Sequence, residues 1–321
     1  MQKPILVTGA AGRVGAIGRT LTDLLLKQGK PVRAMVRKED DRAQSLRDMG
    51  AEVVIGDLLD LDSTHNVIAG VDAMYFGMSI SDDYLAAAVN VATVAKHHGV
   101  KAFVNMSQMT VSQMSITETT ASPQHKLHWL AEQVLNWSGL PVVHVRPTVL
   151  LDGFFQIFTM ESVRQSNQIQ LPLGEGKTSP VAVEDVARVL SAILINPQPH
   201  IGKIYHLTGP QSENMHFYAR EYSEALGRSI TFQDIPVEPW REKLLELRLP
   251  LHLVNHLVTM ADLHRAGSYD RRTDDVLALT GEGPLSVREF IRKNAAAFSP
   301  LATLPECLPT LLPNHTSDPA A

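Results

Sequence analysis

Short apolar runs alternate with amphipathic segments along the first 150 residues of the chain. Apolar runs of this length predict buried strands, and apolar residues that recur at helical spacing predict helices. The predicted strands lie near residues 4–8, 32–36, 52–56, 72–77, 101–107 and 141–146, and the predicted helices near 14–28, 39–49, 63–69, 82–98 and 123–138. Strands that alternate with helices are typical of βαβ units. The pattern therefore predicts an α/β fold, a doubly wound parallel sheet of the Rossmann type.

The periodicity is looser after residue 150. It predicts helices near 153–166, 183–194 and 216–227, a loop at 171–177, strands at 204–208 and 230–235, and a helical C-terminal third. We predict that residues 1–150 form the Rossmann domain and that a segment around 181–210 returns to it. Residues 151–180 and 211–300 are expected to form a smaller, mostly helical lobe. The proline-rich residues 301–321 are expected to be a disordered tail.

A glycine-rich turn separates the first predicted strand from the first predicted helix. Glycine allows a tight turn and close approach of the backbone to a pyrophosphate, whose charge the N-terminus of the helix then faces. The turn therefore predicts a dinucleotide-binding loop made of Gly9, Ala11, Gly12, Arg13, Val14 and Gly15. Gly18 follows at the same spacing, so two registers are open, Gly9/Gly12/Gly15 and Gly12/Gly15/Gly18. The glycine that packs the helix against the strand is either Gly15 or Gly18.

Arg37 directly follows the second predicted strand. An acidic residue at this place binds the ribose hydroxyls of NAD, whereas an arginine suits the 2′-phosphate of NADP. Arg13 could reach the same phosphate. Both arginines could instead be solvated surface residues, neutralised by nearby acids at 39–41. On this pattern we predict NADP(H) as the cofactor in preference to NAD(H).

Composition narrows the classes of partner. The chain has 321 residues, of which 44% are hydrophobic and 20% charged, with a formal net charge of −5. The absence of a basic run argues against direct binding of nucleic acid. Cys307 is the one cysteine, so an intramolecular disulfide is excluded and a reducing compartment fits. Neither a signal segment nor a long apolar stretch is present, and we therefore expect a cytoplasmic protein that does not bind membranes.

Further motifs accompany the glycine loop: Asp57-Leu58, Val104-Asn105-Met106-Ser107, Ser138-Gly139-Leu140-Pro141 leading to Arg146-Pro147, Val183-Glu184-Asp185-Val186-Ala187, and Leu207-Thr208-Gly209-Pro210. With them the chain, over about residues 4–300, resembles the NmrA-like branch of the atypical short-chain dehydrogenases. That branch includes NAD(P)H-dependent quinone reductases and NADP-sensing regulators. The resemblance implies that Asp57 binds the adenine with Leu58 beside it, and that Gly77 and Met78 line the riboses.

The catalytic positions depart from the pattern of ordinary short-chain dehydrogenases, which use an Asn, a Ser and a Tyr-x-x-x-Lys pair. Asn90 and Ser107 fall where the first two belong. The helix spacing through Glu132 puts Gln124 at the tyrosine position and His128 at the lysine position. Glutamine cannot transfer a proton near neutral pH. Oxidation of alcohols by the tyrosine mechanism is therefore not expected.

His128 and Ser107 are the candidate catalytic residues, and both are expected to contact the cofactor. An imidazole with a pKa near neutrality could donate a hydrogen bond to the nicotinamide ribose or protonate a reduced substrate. The alternative is a histidine that only packs. Gln124, His128 and Glu132 would share one helix face, whereas Leu127, Leu130, Ala131 and Val134 would face the core.

The substrate pocket is predicted to be lined by five residues: Ser107, Gln108, Met109, Phe154 and Phe155. No metal site is predicted, because a third ligand of suitable spacing is missing beside His125 and His128, which are taken as a pair on the helix surface. His97 and His98, at a predicted helix end, are likewise taken as surface residues.

Two functions remain open. The first is an NADPH-dependent oxidoreductase that delivers hydride to a small electrophile such as a quinone. The second is an NADP(H) sensor that catalyses nothing and acts through a regulatory protein partner. An epimerase or dehydratase would need the missing tyrosine and lysine. The sequence does not specify the oligomeric state.

Overall fold

A computed structural model of the protein describes residues 3–12 and 16–300. Arg13, Val14 and Gly15 of the glycine loop lie outside the described residues, as does the segment 301–321, so the predictions for them stay predictions. The strands are β1 (Ile5–Val7), β2 (Val32–Val36), β3 (Glu52–Ile55), β4 (Ala73–Phe76), β5 (Ala102–Met106), β6 (Val142–Pro147), β7 (Gln168–Leu171), β8 (Ile204–Leu207) and β9 (Thr231–Asp234). The α-helices are α1 (Ile17–Lys27), α2 (Asp41–Asp48), α3 (Leu61–Ile68), α4 (Tyr84–His97), α5 (Pro123–Trp137), α6 (Gln156–Ser166), α7 (Val183–Ile195), α8 (Met215–Leu226), α9 (Val237–Glu246), α10 (Leu251–Arg265), α11 (Asp275–Thr280) and α12 (Val287–Lys293).

Seven strands form one parallel sheet in the order β3-β2-β1-β4-β5-β6-β8. Helices cover both faces of the sheet, which confirms the predicted α/β fold of the Rossmann type. The strand β8 pairs with β6, and α7 packs against α1. The segment around 181–210 therefore lies within the sheet and its helical layer.

Apolar side chains cover the sheet on both sides. On one face Leu21 and Leu25 of α1 pack in the same cluster as Val189 of α7. On the other face Phe76 and Phe103 belong to a cluster that takes in residues of α4 and α5. Parallel sheets are buried on both faces. This is why the central strands appear in the sequence as uninterrupted apolar runs.

The C-terminal lobe is mostly helical, as predicted, and has its own apolar core, which includes Tyr218, Tyr222 and Trp240. It also contains a two-stranded parallel sheet of β7 and β9. The strand β7 was not predicted, because its alternation of half-buried Gln168 and Gln170 with buried Ile169 and Leu171 spans too few residues to stand out. Neither in the lobe nor elsewhere in the described ranges is a helix long and apolar enough to cross a membrane.

The start of α5 is fixed locally. The Ser122 hydroxyl accepts a hydrogen bond from the backbone N–H of His125 at 3.3 Å, and Pro123 occupies the first helical position. Serine at the N-cap and proline directly after it both favour a helix start at this point. The register of Gln124, His128 and Glu132 along the helix is set from there.

Candidate functional site

The carboxyl ends of β1 and β4 meet where the strand order reverses. Ligands of open α/β sheets bind in the crevice at such a switch point. Thr8 joins the two strand ends, since its Oγ1 accepts a hydrogen bond from the N–H of Gly77 and donates one to the carbonyl of Gly77, both at 2.9 Å. The turns that follow β1 and β4 therefore form the candidate crevice.

Close backbone contacts in this crevice require glycine at two positions. Gly9 has a φ of +65°, and a Cβ atom there would lie 2.8 Å from the carbonyl oxygen of Gly77. A Cβ atom at Gly18, in the first turn of α1, would lie 2.7 Å from the carbonyl oxygen of Gly9. Gly18 thus fills the helix-packing position that the sequence left open between Gly15 and Gly18. We call Gly9, Gly18 and Gly77 with their backbone contacts the glycine cradle. Such a cradle fits a pyrophosphate, because the ligand can approach the backbone without meeting side chains.

Arg37 directly follows β2, and Arg42 lies in the first turn of α2. Arg37 is exposed, and among the described residues no ion pair to it is found. Two of the three acids that could neutralise it are engaged elsewhere, Glu39 with Arg47 and Asp40 with Arg42. Arg42 also donates from Nη1 to the carbonyl of Ala11, at 3.1 Å. Sequence analysis missed Arg42, although its place in the first turn of the helix after β2 is a usable signal.

The loop after β3 contains the predicted adenine contacts. The Asp57 carboxylate accepts a hydrogen bond from the N–H of Leu59 at 3.0 Å. Asn90 of α4 donates to the carbonyl of Leu58 at 3.1 Å. Asn90, which sequence analysis placed at a catalytic position, therefore holds this loop.

The buried face of α5 is its polar face. Gln124, His128 and Glu132 are at most 8% exposed, whereas Leu127, Leu130 and Val134 are only half-buried. Gln124, His128 and Glu132 share one face, as predicted, and that face is buried. Of the residues predicted to face the core, Ala131 is buried and Leu127 packs against the apolar cluster, whereas Leu130 and Val134 are half-buried outside it. The polar face can be buried because Gln124 and Glu132 bond polar groups from elsewhere in the chain.

Glu132 pairs with Arg146 of β6, whose Nε donates to Oε1 at 2.9 Å. Burial alone would raise the pKa of Glu132, but the hydrogen bonds and charge of Arg146 outweigh it and the pKa is lowered. The buried Ser107 hydroxyl has no partner with hydrogen-bond geometry, although it lies close enough to Glu132 to contribute to this lowering of its pKa. Ser107 and Glu132 thus lie side by side at the end of β5.

Gln124 is held from both sides. Its Oε1 accepts hydrogen bonds from the backbone N–H of Ser81, at 3.2 Å, and from Nε2 of His252, at 2.8 Å. His252 belongs to α10 in the lobe, and its Nδ1 pairs with Asp82. The Nε2 atom of Gln124 is buried without a partner. The residue at the tyrosine position is therefore locked between the loop after β4 and the lobe.

His128 packs on Tyr84 of α4, with ring centroids 4.0 Å apart. Burial lowers the pKa of His128 to about 3, rather than leaving it near neutrality as sequence analysis expected. The imidazole is therefore neutral near pH 7 and can form hydrogen bonds, but it is not a proton donor there. Its Nδ1 atom is buried and has no partner among the described residues.

The predicted pocket residues lie where the sheet meets the lobe. Met109 is buried at the start of a short 3-10 helix, Met109–Gln113. Phe154 and Phe155 belong to the apolar core of the lobe, where Phe155 is only 1% exposed and packs against Tyr218.

Buried polar atoms without partners gather near the ends of β5 and β6. They are Oγ of Ser107, Nε2 of Gln108, Oγ1 of Thr148 and Nη2 of Arg271. The other terminal nitrogen of Arg271 donates to the carbonyl of Met109 at 3.2 Å. Buried polar groups are normally satisfied, so a cluster of unsatisfied ones marks hydrogen-bonding capacity for a bound molecule. Sequence analysis named Ser107 and Gln108 as pocket residues but missed Thr148 and Arg271.

A family model described as the NmrA-like family matches residues 1–291. The chain belongs to the NmrA-like family. It is 28% identical to the NAD(P)H azoreductase of Xenophilus azovorans over 299 residues, which cover 92% of this chain and 99% of that protein. The resemblance seen in the sequence is therefore confirmed.

Two solved structures share the fold of this NmrA-like chain. One is the NADPH-dependent quinone oxidoreductase of Escherichia coli in complex with NADPH, with a TM-score of 0.76 at 21% identity, covering 91% of this chain and 99% of that one. The other is NmrA, a negative transcriptional regulator, in complex with NADP, with a TM-score of 0.76 at 19% identity, covering 91% of this chain and 95% of that one. At these identities the likeness shows the fold alone.

Three buried histidines extend the site of this NmrA-like chain toward the lobe, and we call His125, His128 and His256 the buried histidine cluster. The rings of His125 and His256 meet edge to face, 4.9 Å apart. Hydroxyl groups hold both rings, Thr120 at Nδ1 of His125 and Ser122 at Nδ1 of His256. The prediction that His125 and His128 form a surface pair was wrong. Burial lowers the pKa of His125 to about 3 and that of His256 well below its usual value.

Replacing Gly18 with alanine is expected to destabilise the protein. The new Cβ would meet three backbone atoms within 2.9 Å, and no side-chain rotation can relieve this. Overpacking of this kind costs about 1–3 kcal/mol of unfolding free energy, which urea denaturation would measure. Gly283→Ala is the matched control, since a Cβ there meets nothing within 4 Å. Equal stability of the two variants would contradict the packing role of Gly18.

Acidification is expected to weaken the fold through the buried histidine cluster. A histidine whose pKa is lower in the folded than in the unfolded protein stabilises the fold at pH values above its unfolded pKa of about 6.5. This stabilisation is lost as the pH falls from there toward the pKa of the folded protein. For His128, whose folded pKa is about 3, the loss between about pH 7 and pH 5 amounts to about 2 kcal/mol.

Urea denaturation at both pH values measures this loss within each variant. His128→Gln should lose about 2 kcal/mol less on acidification than the wild type. His216→Gln, which changes an exposed histidine, should behave as the wild type does. An unchanged loss in His128→Gln would contradict the assignment.

Proposed function

We propose that this protein binds NADP(H) and reduces a small electrophile of the quinone type by hydride transfer. The observation that carries the proposal is the close backbone contact of Gly9, Gly18 and Gly77, together with a helix that offers Gln124 where a catalytic tyrosine would be. The names of the azoreductase and quinone oxidoreductase relatives support it. In this proposal residues 1–150 and the segment around 181–210 hold the cofactor, and the lobe formed by 151–180 and 211–300 covers the acceptor.

The cofactor would lie across the crevice between the ends of β1 and β4. Its pyrophosphate would meet the backbone at Gly9, Ala11, Gly12, Arg13, Val14 and Gly15 and the N-terminus of α1. Arg37 and Arg42 would receive the 2′-phosphate, Asp57 and Leu58 the adenine, and Gly77 and Met78 the riboses. When bound, NADPH supplies the hydride.

The residues at the nicotinamide end would position groups rather than move protons. The Ser107 hydroxyl, which has no partner with hydrogen-bond geometry, would donate a hydrogen bond to the acceptor oxygen. His128 would bond the nicotinamide ribose as a neutral imidazole. Met109, Phe154 and Phe155 are proposed to shape the apolar side of the pocket. A quinone needs little help from an acid, because the aromatic oxyanion left by hydride addition is stable enough to take its proton from water.

The preference for NADPH is expected to depend on Arg37. A hydrogen bond to a charged group contributes about 1.5–3 kcal/mol, so Arg37→Ala should weaken NADPH binding about tenfold or more and leave NADH binding unchanged. Arg220→Ala, which removes an exposed arginine of α8, is the matched control. Fluorescence titration measures the dissociation constants of NADPH and NADH for the wild type and both variants. Tighter binding of NADH than of NADPH by the wild type would contradict the preference.

NADPH oxidation should be seen with quinones, at a rate that depends little on pH. With His128 neutral, kcat/KM should stay within about twofold between about pH 6 and pH 8. Steady-state absorbance assays over a panel of quinones and aldehydes measure both properties. Ser107→Ala should lower kcat/KM about tenfold through one lost hydrogen bond.

Ser166→Ala, in α6, is the control and should keep the wild-type rate. A pH profile with a step near neutrality that disappears in His128→Gln would overturn the role given to His128. Absence of NADPH oxidation across the panel would overturn the reaction.

A second candidate function is an NADP(H) sensor without catalysis. Its support is Gln124, locked by Ser81 and His252 at the position of the missing tyrosine, together with the fold shared with the regulator NmrA. A sensor would bind one NADPH per chain without turnover, and its affinity for a protein partner would change with the redox state of the cofactor. Turnover with any acceptor of the panel would exclude this reading.

A further inference from the structure

Three histidines from two neighbouring helices converge on the surface away from the cofactor crevice. His65 comes from α3, His97 ends α4 and His98 directly follows it. One ligand nitrogen of each lies within 4.8 Å of the others. Nε2 of His98 and Nδ1 of His65 are 3.1 Å apart and share a hydrogen bond. We call these residues the surface histidine trio.

We propose that the surface histidine trio binds one divalent first-row transition ion of the zinc type. Imidazole nitrogen is a preferred ligand of Zn²⁺, Cu²⁺ and Ni²⁺. In a tetrahedral zinc site, with Zn–N bonds of about 2.05 Å, two ligand nitrogens lie about 3.3 Å apart. The 3.1 Å separation of the His65 and His98 nitrogens is close to that spacing. A water molecule completes the tetrahedron.

His97 can supply the third bond by a small side-chain movement. Its ring centroid lies 5.1 Å from that of His98 and 5.7 Å from that of His65, and the residue is exposed. An exposed side chain changes rotamer without disturbing a core. The rings of His65 and His98 are therefore already placed to bind the ion, and His97 supplies the third bond after its side chain has rotated.

The electrostatics of the trio favour a metal ion. The trio lies at the C-terminal end of α4. The partial negative charge of that helix end attracts cations.

A bound ion would join α3 to α4. Both helices also position the loop after β3, since Ser63 of α3 accepts a hydrogen bond from the N–H of Asp57 and Asn90 of α4 bonds the carbonyl of Leu58. The ion would therefore tie together two helices that support one end of the crevice. This inference rests on the trio alone and does not depend on the proposed function.

Isothermal titration of tag-free protein with Zn²⁺, after treatment with a chelator, tests the site. One ion per chain is expected to bind, and His98→Gln or His65→Gln should weaken binding at least about tenfold by removing a ligand. Cobalt absorption in the visible range should show the intense bands of a tetrahedral complex. His216→Gln, which removes an exposed histidine of α8, is the matched control and should bind as the wild type does.

Thermal unfolding supplies a second readout. An ion that binds only the folded state raises the melting temperature, so Zn²⁺ in about hundredfold excess over its dissociation constant should raise that of the wild type by a few degrees. The rise should be absent in His98→Gln. Equal zinc affinity in the wild type, His98→Gln and His65→Gln would overturn the proposal, as would binding that His216→Gln alone removes.

Discussion

Contact between three stretches of backbone positions the rest of the candidate site. Gly18 lets α1 approach the turn at Gly9, and Gly9 lies against Gly77 at the end of β4. Rotation of a side chain cannot relieve or replace these contacts, so the first turn of α1 stays above the ends of β1 and β4. Because Gly9, Gly18 and Gly77 meet through backbone atoms, this part of the candidate site is already organised without a ligand. A preorganised site avoids the cost of ordering loops when it binds.

The buried polar face of α5 is the second constraint. Its residues differ in how the cost of burying a polar group is offset. Glu132 remains charged because Arg146 neutralises it within the fold, and a buried carboxylate without such a partner would be costly. Gln124 is neutral and needs only hydrogen-bond donors, which Ser81 and His252 supply. The buried histidine cluster lacks a carboxylate partner with ion-pair geometry within the described chain, and burial therefore keeps its members neutral. One helix face thus holds a fixed anion, a fixed amide and neutral imidazoles.

Sequence reasoning identified what depends on local pattern. Apolar periodicity indicated the strands of the main sheet, and the glycine spacing indicated the cradle, because both are properties of adjacent residues. It missed contacts made across the chain. His252 reaches Gln124 from 128 residues away, and Arg42 reaches Ala11 from 31. The same limit explains α5, since helical spacing shows which residues share a face but not which face is buried. Partners such as Arg146, on another element, decide that.

The proposed function must be compatible with a polar face of α5 that holds no proton donor near pH 7. Hydride transfer to an ordinary ketone leaves an alkoxide, which needs an acid within reach. Near pH 7 neither Gln124 nor His128 can supply a proton, and Glu132 is held as an anion by Arg146. Acceptors whose reduced form is a stable anion need no such acid. In the proposed function, the residue types along α5 would therefore restrict the acceptor to this class, and the hydroxyl of Ser107 would orient it.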